Sequence, residues 1–484
     1  MKVNFGGRVL VLGCGSVSRC LQPLLLEHLR MDFSKLTILD FEDNRQTVKP
    51  ILEAGASYVQ RRVTKGNLAS LLGKYVGNGD LLIDLAWNID CGDIIQWCND
   101  NGVMYVNTSV EEWDPYLDAE EQSPGERTLY YRHRLLREQV ARWKEGGPSI
   151  VIEHGANPGL VSHWTKVALL DIAETILRTR RPGKTRKVAL ETALNAADFA
   201  QLAQQTGVKV IHISERDTQI ADRPKEVDEF VNTWSIEGFR EEGVAPAELG
   251  WGTHERSLPP RSFTHDYGPV SQICIAQPGM ETWVRSWVPL GGEIRGMVIR
   301  HGEALTITEH LTVWDGDRPV YRPTVHYAYL PTDAAVASLL ELRMRNFELQ
   351  PKLRIMTDEI IDGRDELGVL LMGHDLTSWW TGSQLDIDET RQLVPGQNAT
   401  TLQVAASVLG AVFWMIRNPR RGFHVPDDLP HDQVLKVANK YLGPCPSVQS
   451  DWTPLQNRVD LFAKWGGARR PAAEDLWQFE SFLA

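Results

Sequence analysis

Apolar residues in the first third of the chain come in short unbroken runs, and between those runs they recur at helical spacing. Val9–Leu12 is an uninterrupted run, the pattern of a strand buried on both faces. Residues 17–30 then carry Leu21, Leu24, Leu25 and Leu29 as a helical stripe. Pro23 lies inside that stripe and is expected to bend the helix or shift its start. Leu36–Asp40 reads as a second strand, followed by a helical pattern to about residue 54 and a strand over 58–63. Thr64 is placed as the N-cap of the next helix. Residues 81–85 and 103–107 read as further strands around a helix near 93–100. A charged helix is predicted over 126–144 with Leu129, Leu135, Leu136 and Val140 inward, and 150–153 as the last strand of this half. Strands alternating with helices predict a doubly wound parallel sheet of Rossmann type.

Past residue 156 the rhythm changes. A helix over 160–173 leads into a basic loop at 178–187, and β-type runs follow at 208–213, 271–275, 283–288, 296–300, 305–308 and 311–313. Sequential strands with few helices predict a second, α+β domain built on a mixed or antiparallel sheet. From about residue 397 the pattern is mainly helical, at 402–417, 433–441 and 471–483. The expected organisation is therefore a dinucleotide-binding domain over 1–155, a substrate domain over 156–395 and a helical C-terminal region over 396–484.

Composition narrows the functional classes. The 484 residues hold 51 Lys plus Arg against 63 Asp plus Glu, a formal charge of −12, which makes nucleic acid an unsuitable partner. Acidity suits cationic ligands, although by itself it chiefly favours solubility. Tryptophan is over-represented: 16 Trp exceed both 13 Phe and 11 Tyr. Core packing accounts for most such rings, and recognition of a cation on a ring face is the sharper reading. The six cysteines form no CxxC and no metal-type cluster, so a cytoplasmic protein without a resident metal is expected. The stretches LLIDLAWNID and AASVLGAVFWMI read as too short or too interrupted to span a membrane.

The clearest chemical motif is Gly13-Cys14-Gly15-Ser16-Val17-Ser18, lying between a strand and a helix. Gly13 suits a tight turn, Gly15 admits a pyrophosphate close to the backbone, and Ser18 takes the position that governs helix–strand packing. Asp40 ends the second strand, where a carboxylate accepts hydrogen bonds from a ribose diol and repels a 2′-phosphate; NAD is favoured, while the nearby Arg45 keeps NADP open. Ligands bind beyond the carboxyl ends of parallel strands, and three such ends are polar: Asp84 with Trp87 to Asp90, Asn107-Thr108-Ser109 with Glu111 and Glu112, and Glu153 to Gly159. The candidate cofactor contacts are Gly13, Gly15, Ser16, Val17, Ser18, Asp40, Thr64, Asp84, Asn107 and Thr108. Farther on, Glu215, Trp234, Glu237, Glu241, Glu242 and Trp251 interleave acids with indoles, which suits an ammonium ligand or merely a solvated acidic face over a buried ring.

The glycine turn with Asp40, GANPG at 155–159, ERDTQ at 215–219, FVNTWSIEG at 230–238, ELGWGTHE at 248–255, RPTVHYAY at 322–329 and DELGVLL at 365–371 occur in order. Together they resemble the bacterial homospermidine synthases of the saccharopine-dehydrogenase-like group, over about residues 8–415. The resemblance implies a Rossmann domain, a substrate domain and C-terminal helices that return to the first domain. It implies that two putrescines, or spermidine plus putrescine, give homospermidine and ammonia, with bound NAD borrowing and returning a hydride. By motif it implies that Trp234 meets the cationic amine or iminium, that Glu215 binds or deprotonates the reacting amine, and that Asn157 hydrogen-bonds nearby. Glu111 or its neighbour Glu112 takes the distal amine, and Glu237, Glu242, Asp365 and His301 are further candidates in the substrate pocket. Trp87 stands where a smaller residue is expected. A homodimer is the expected assembly. The competing reading is a carboxynorspermidine or saccharopine type dehydrogenase, whose carboxylate-bearing product calls for Arg or Lys in the pocket. A nucleotide-binding scaffold without catalysis is the non-enzymatic alternative.

Overall fold

The computed structural model describes residues 1–117, 121–459, 461–466 and 471–484. Two sheets organise it. The first has seven strands, all parallel, in the order Phe423–His424, Ile150–Val151, Met104–Asn107, Leu81–Asp84, Val9–Leu12, Leu36–Asp40 and Ser57–Gln60. Successive side chains of a strand leave by opposite faces, so Val9 and Val11 join one core while Leu10 and Leu12 join another. Helices cover both faces, which is why these strands read as continuous apolar runs.

The helix Ser16–His28 runs unbroken through Pro23. The helix after the strand Ser57–Gln60 starts at Leu68 after Asn67, so Thr64 is not its cap; the Thr64 amide instead donates to Asn67 Oδ1 at 2.9 Å. Ile150–Val151 is the last strand that the first half contributes, and Phe423–His424 returns from the C-terminal region to pair beside it at the sheet edge. In the helix Leu129–Val140 the buried face is Leu129, Tyr130, Arg132, His133 and Leu136, and Leu135 points to solvent. Two polar side chains take inward positions there because Arg132 lines a cavity and His133 meets the buried Glu153 at 2.8 Å.

The second sheet has ten strands and mixes directions. Its path runs Ser262–Thr264, Gln272–Pro278, Pro246–Gly250, Thr324–Leu330, Val210–Asp217, Arg364–His374, Thr377–Asp386 and Ser447–Ser450, with Trp283–Val288 and Gly292–Met297 attached at Thr324–Leu330. Among its named pairs, Thr324–Leu330 with Val210–Asp217 is parallel and the rest are antiparallel. Residues 305–308 belong to the helix Glu303–His310 and not to a strand. Its residues 303–308 are all buried, so no periodicity marks it, and Thr308 satisfies its hydroxyl on the Ala304 carbonyl at 2.7 Å. The basic stretch 178–187 is shared between the helices Leu160–Thr179 and Lys184–Ala196. Within 471–483 the described helix is the short Phe479–Phe482.

The helix Ala399–Arg417 packs on Ser16–His28 and on strands of both sheets. It is long and apolar enough to cross a membrane, with a mean hydropathy of 1.6 in its apolar window, but 89% of that window is buried inside the protein. That corrects the expectation drawn from its sequence, since a helix wedged between two sheets is apolar all round for the same reason that a spanning helix is. Trp379, Trp380 and Trp414 are buried and serve packing.

Candidate functional site

One cavity of about 920 Å³ lies where the two sheets meet. Its first half is built by the glycine turn. Gly13 sits at φ +84°, and a Cβ there would lie 2.6 Å from the Leu85 carbonyl oxygen, so the turn admits only glycine. Gly15 has open space where a Cβ would stand, and Gly15, Ser16 and Val17 line the cavity at the start of the helix Ser16–His28. Backbone N–H groups and the positive helix end converge there, the arrangement that holds a pyrophosphate. Ser18 is buried beneath them and accepts from Gln22 at 3.3 Å. It packs, and does not line the cavity.

Asp40 is 9% exposed on the cavity wall. One carboxylate oxygen accepts from the Cys14 amide at 2.5 Å and the other from the Glu42 amide at 2.7 Å. Each keeps a lone pair for a diol. Arg45 turns away to Asp43 at 3.1 Å; the basic groups facing the cavity near Asp40 are Arg19, Arg61 and Arg62, of which Arg19 donates to the Cys14 carbonyl at 3.0 Å and the Arg62 guanidinium covers the Phe41 ring at 4.2 Å. Trp87 lines the same half and is 43% exposed.

Besides Ser18, three expected cofactor contacts lie off the wall. Thr64 is exposed beside Asn67. Asp84 accepts from Tyr105 Oη at 2.8 Å and from the Ala86 amide at 3.2 Å, and burial pushes its carboxyl up to about 7. Asn107 accepts from the Glu153 amide at 2.8 Å and donates to the Ser109 carbonyl at 2.6 Å. Asp84 and Asn107 therefore shape the strand-end loops, and neighbouring residues such as Leu85, Ala86 and Thr108 line the cavity.

The second half is acidic and aromatic. Glu215, on the strand Val210–Asp217, accepts from Asn157 Nδ2 at 2.9 Å and, in a shorter contact, from Tyr327 Oη. Burial pushes its carboxyl up to about 8; the Tyr327 bond pulls down and Asp217 pushes up. Asp217 is raised to about 6 by burial, against donors that include Gln219 and Thr233. Asp365 stands opposite Asp217 in the ladder, accepts from Thr400 at 2.7 Å and is fully buried. It does not line the cavity, so it backs Glu215 and Asp217 instead of meeting a ligand. Burial together with Glu215 and Asp217 drives its carboxyl well up. Three buried acids this close do not all ionise at neutral pH.

Trp234 is half-buried on the wall, its indole N–H held by Tyr329 Oη at 3.1 Å. The helix Ile236–Val244 follows directly and brings Glu237, Glu241 and Glu242 to the wall. His301 sits between Glu242 at 3.0 Å and Glu303 at 3.4 Å. Burial opposes its charged form, but the two carboxylates overcome this and hold the ring well above its usual range. Glu111 lines the cavity and accepts from Ser109 Oγ at 2.7 Å and the Asn88 amide at 3.2 Å; burial, then Glu241, pushes it up to about 7. Glu112 instead pairs with Arg132 at 2.7 Å, off the wall. Arg132 and Tyr327 are wall residues that sequence reasoning gave no role, and Glu241 is read there only as one acid of the indole-rich segment. The one available signal was Arg132 and His133 at inward helix positions.

Two family descriptions match the chain in tandem: "Saccharopine dehydrogenase NADP binding domain" over residues 9–151 and "Saccharopine dehydrogenase C-terminal domain" over residues 155–444. The homospermidine synthase of Blastochloris viridis is 41% identical, over 99% of this chain and 97% of that protein. That of Mesorhizobium japonicum is 38% identical, over 99% and 96%. The crystal structure of the homospermidine synthase from Legionella pneumophila in complex with NAD is 38% identical and superimposes with a TM-score of 0.87, covering 100% of this chain and 99% of that one.

Proposed function

The chain belongs to the homospermidine synthase family, within the saccharopine dehydrogenase group, and on that premise we propose that it joins two putrescines, or spermidine and putrescine, into homospermidine with loss of ammonia. The observation that carries this reading is a single cavity with a nucleotide turn at one end and Trp234, Glu215, Glu237 and Glu111 at the other. NAD fits the first end: Gly13 and Gly15 leave room for the pyrophosphate, the helix Ser16–His28 points its amides there, and Asp40 has lone pairs for a ribose. Bound there, NAD supplies the capacity to accept a hydride from an amine carbon and to return it later.

The chain's own groups do the rest. Burial favours the protonated form of Glu215 in the empty site; an arriving ammonium favours the carboxylate, whose proton passes to solvent, and the carboxylate then takes a proton from the reacting nitrogen at Oε. The Asn157 amide and the Tyr327 hydroxyl hold that carboxylate in place. Trp234 presents a ring edge-anchored by Tyr329, able to stabilise a cationic nitrogen that has lost its water shell. His301, held protonated by Glu242 and Glu303, supplies the proton that the departing ammonia needs. Glu111 and Glu237 take the far ammonium, which selects diamine length. The basic groups a dehydrogenase of carboxylated amines needs are engaged elsewhere: Arg300 on Glu241, and Arg216 on the Gly291 carbonyl at 3.3 Å.

We place the enzyme in the cytoplasm as a homodimer, the commonest closed assembly, which light scattering tests. The activity is tested by incubation with putrescine and NAD in trace amount, products read by mass. Homospermidine and ammonia are expected in excess over NAD. A requirement for stoichiometric NADPH overturns the reading.

A further inference from the structure

Glu241 stands out among the wall acids because it is already neutralised. Its Oε1 is reached by Arg132 Nη2 at 2.8 Å and by Arg300 Nη2 in a shorter contact. The three side chains come from separate elements: the helix Leu129–Val140, the segment after Gly292–Met297, and the helix Ile236–Val244. Two buried guanidiniums are an odd provision for a site that takes cations, since each repels an ammonium and costs several kcal/mol to desolvate unless paired.

The two forks do not depend on Glu241 for their placement. Arg132 Nη1 donates to the Val110 carbonyl at 2.9 Å, and Arg300 Nη1 donates to the Arg127 carbonyl at 2.9 Å. Arg300 Nε is buried and has no hydrogen-bond partner among the described residues. All three residues line the cavity. Planar forks held by the backbone and converging on one oxygen are the geometry that binds a carboxylate.

We propose that Glu241 is a built-in carboxylate filling a two-arginine anion site in the cavity wall, and that it is the residue that excludes carboxylate-bearing amines from this enzyme. The selectivity half of this rests on the polyamine reading above; the anion site does not. Arg132 Nη2 also meets Glu112 at 2.7 Å, so with Glu241 in place two carboxylates balance the two guanidiniums and the wall accepts ammonium groups. With Glu241 shortened, the same two arginines accept a carboxylate from solution and repel a diamine.

The test uses the full-length enzyme and acetate as the probe. Glu241→Ala is expected to lose about tenfold in putrescine turnover, and acetate is expected to restore about half of that loss. Glu241→Gln fills the space without charge and gains nothing from acetate. Acetate, compared with chloride at equal ionic strength, raises the thermal unfolding midpoint of Glu241→Ala by roughly 2–4 °C and leaves the parent unmoved. The double variant Glu241→Ala, Arg300→Met loses both effects. In Glu241→Ala, 4-aminobutanoate competes with putrescine about tenfold better than in the parent. If Glu241→Ala does not fold alone, Glu241→Ser is carried through the same midpoint measurement. An acetate-independent midpoint in both variants overturns the anion site, and unchanged competition by 4-aminobutanoate overturns the selectivity role. Parent enzyme without homospermidine production overturns the activity reading instead, while the midpoint shift still reports on Glu241.

Discussion

The two ends of the cavity are made in opposite ways. At the nucleotide end the groups come from the C-terminal edge of one parallel sheet, and much of the work is done by backbone: Gly13, Gly15 and the start of one helix. At the amine end the work is done by side chains far apart in sequence, Glu215 on a strand and Glu111, Asn157, Trp234 and His301 on the loops around it. The first end is preorganised by sterics, the second by electrostatics in a buried pocket. The turn at Gly13 tolerates no added atom, whereas a charge cluster tolerates shape changes and fails when a charge is removed.

Removing the central acid is the strongest way to break the amine end alone. Glu215→Ala is expected to lower turnover by about 10²–10⁴-fold, measured as homospermidine formed, with NAD affinity unchanged. Asp90→Ala is the control: Asp90 caps the helix Cys91–Asn101 through the Asp93 amide at 2.8 Å, so it should cost about 1 kcal/mol of stability and little turnover. The parent should show a limb in its kcat/KM profile rising toward about pH 8, absent in Glu215→Gln. The stability sign follows from the same group. Its carboxyl binds a proton more tightly folded than unfolded, so its favourable contribution is complete below the ordinary carboxylate range and is lost as pH rises through about 8. Glu215→Gln should therefore gain thermal stability relative to the parent as pH is raised over that window.

Gly13→Ala probes the other end. A Cβ 2.6 Å from the Leu85 oxygen, at a positive φ, should cost roughly 1–3 kcal/mol and weaken NAD binding, read by thermal unfolding and NAD titration. The acid cluster around Glu215 should keep its pH behaviour, because no residue of it touches the turn. The smallest effect belongs to the ring. Trp234→Leu forfeits a cation–π contribution of about 0.5–2 kcal/mol, a loss of roughly 2–30-fold in kcat/KM, while Trp234→Phe keeps part of it. A loss of NAD affinity in Trp234→Leu would blur the division between the two ends.

Legibility in the sequence follows the same division. The turn, its strand and Asp40 are contiguous or nearly so, and local periodicity was enough to place them. Thr64, Asp84 and Asn107 are polar residues at or just past strand ends, the usual place of ligand contacts, but they support the loops and leave the cavity wall to their neighbours. Glu111 and Glu112 are indistinguishable in sequence; one peptide step sends the first into the cavity and the second to Arg132. The helix over 303–310 was invisible because burial on all sides erases periodicity.

By itself, the sequence determined the alternating parallel-sheet architecture of the first half, the glycine turn and the succession of motifs that marks the family, since each depends on residues close together in the chain. Only the tertiary structure decided which acids share a wall, that Asp365 stands behind Glu215 and Asp217 instead of beside a ligand, and that Glu241 is already held by two arginines. The reason is physical: a carboxylate's charge state and availability are set by burial and by partners that approach from remote elements, and neither is written at its own position.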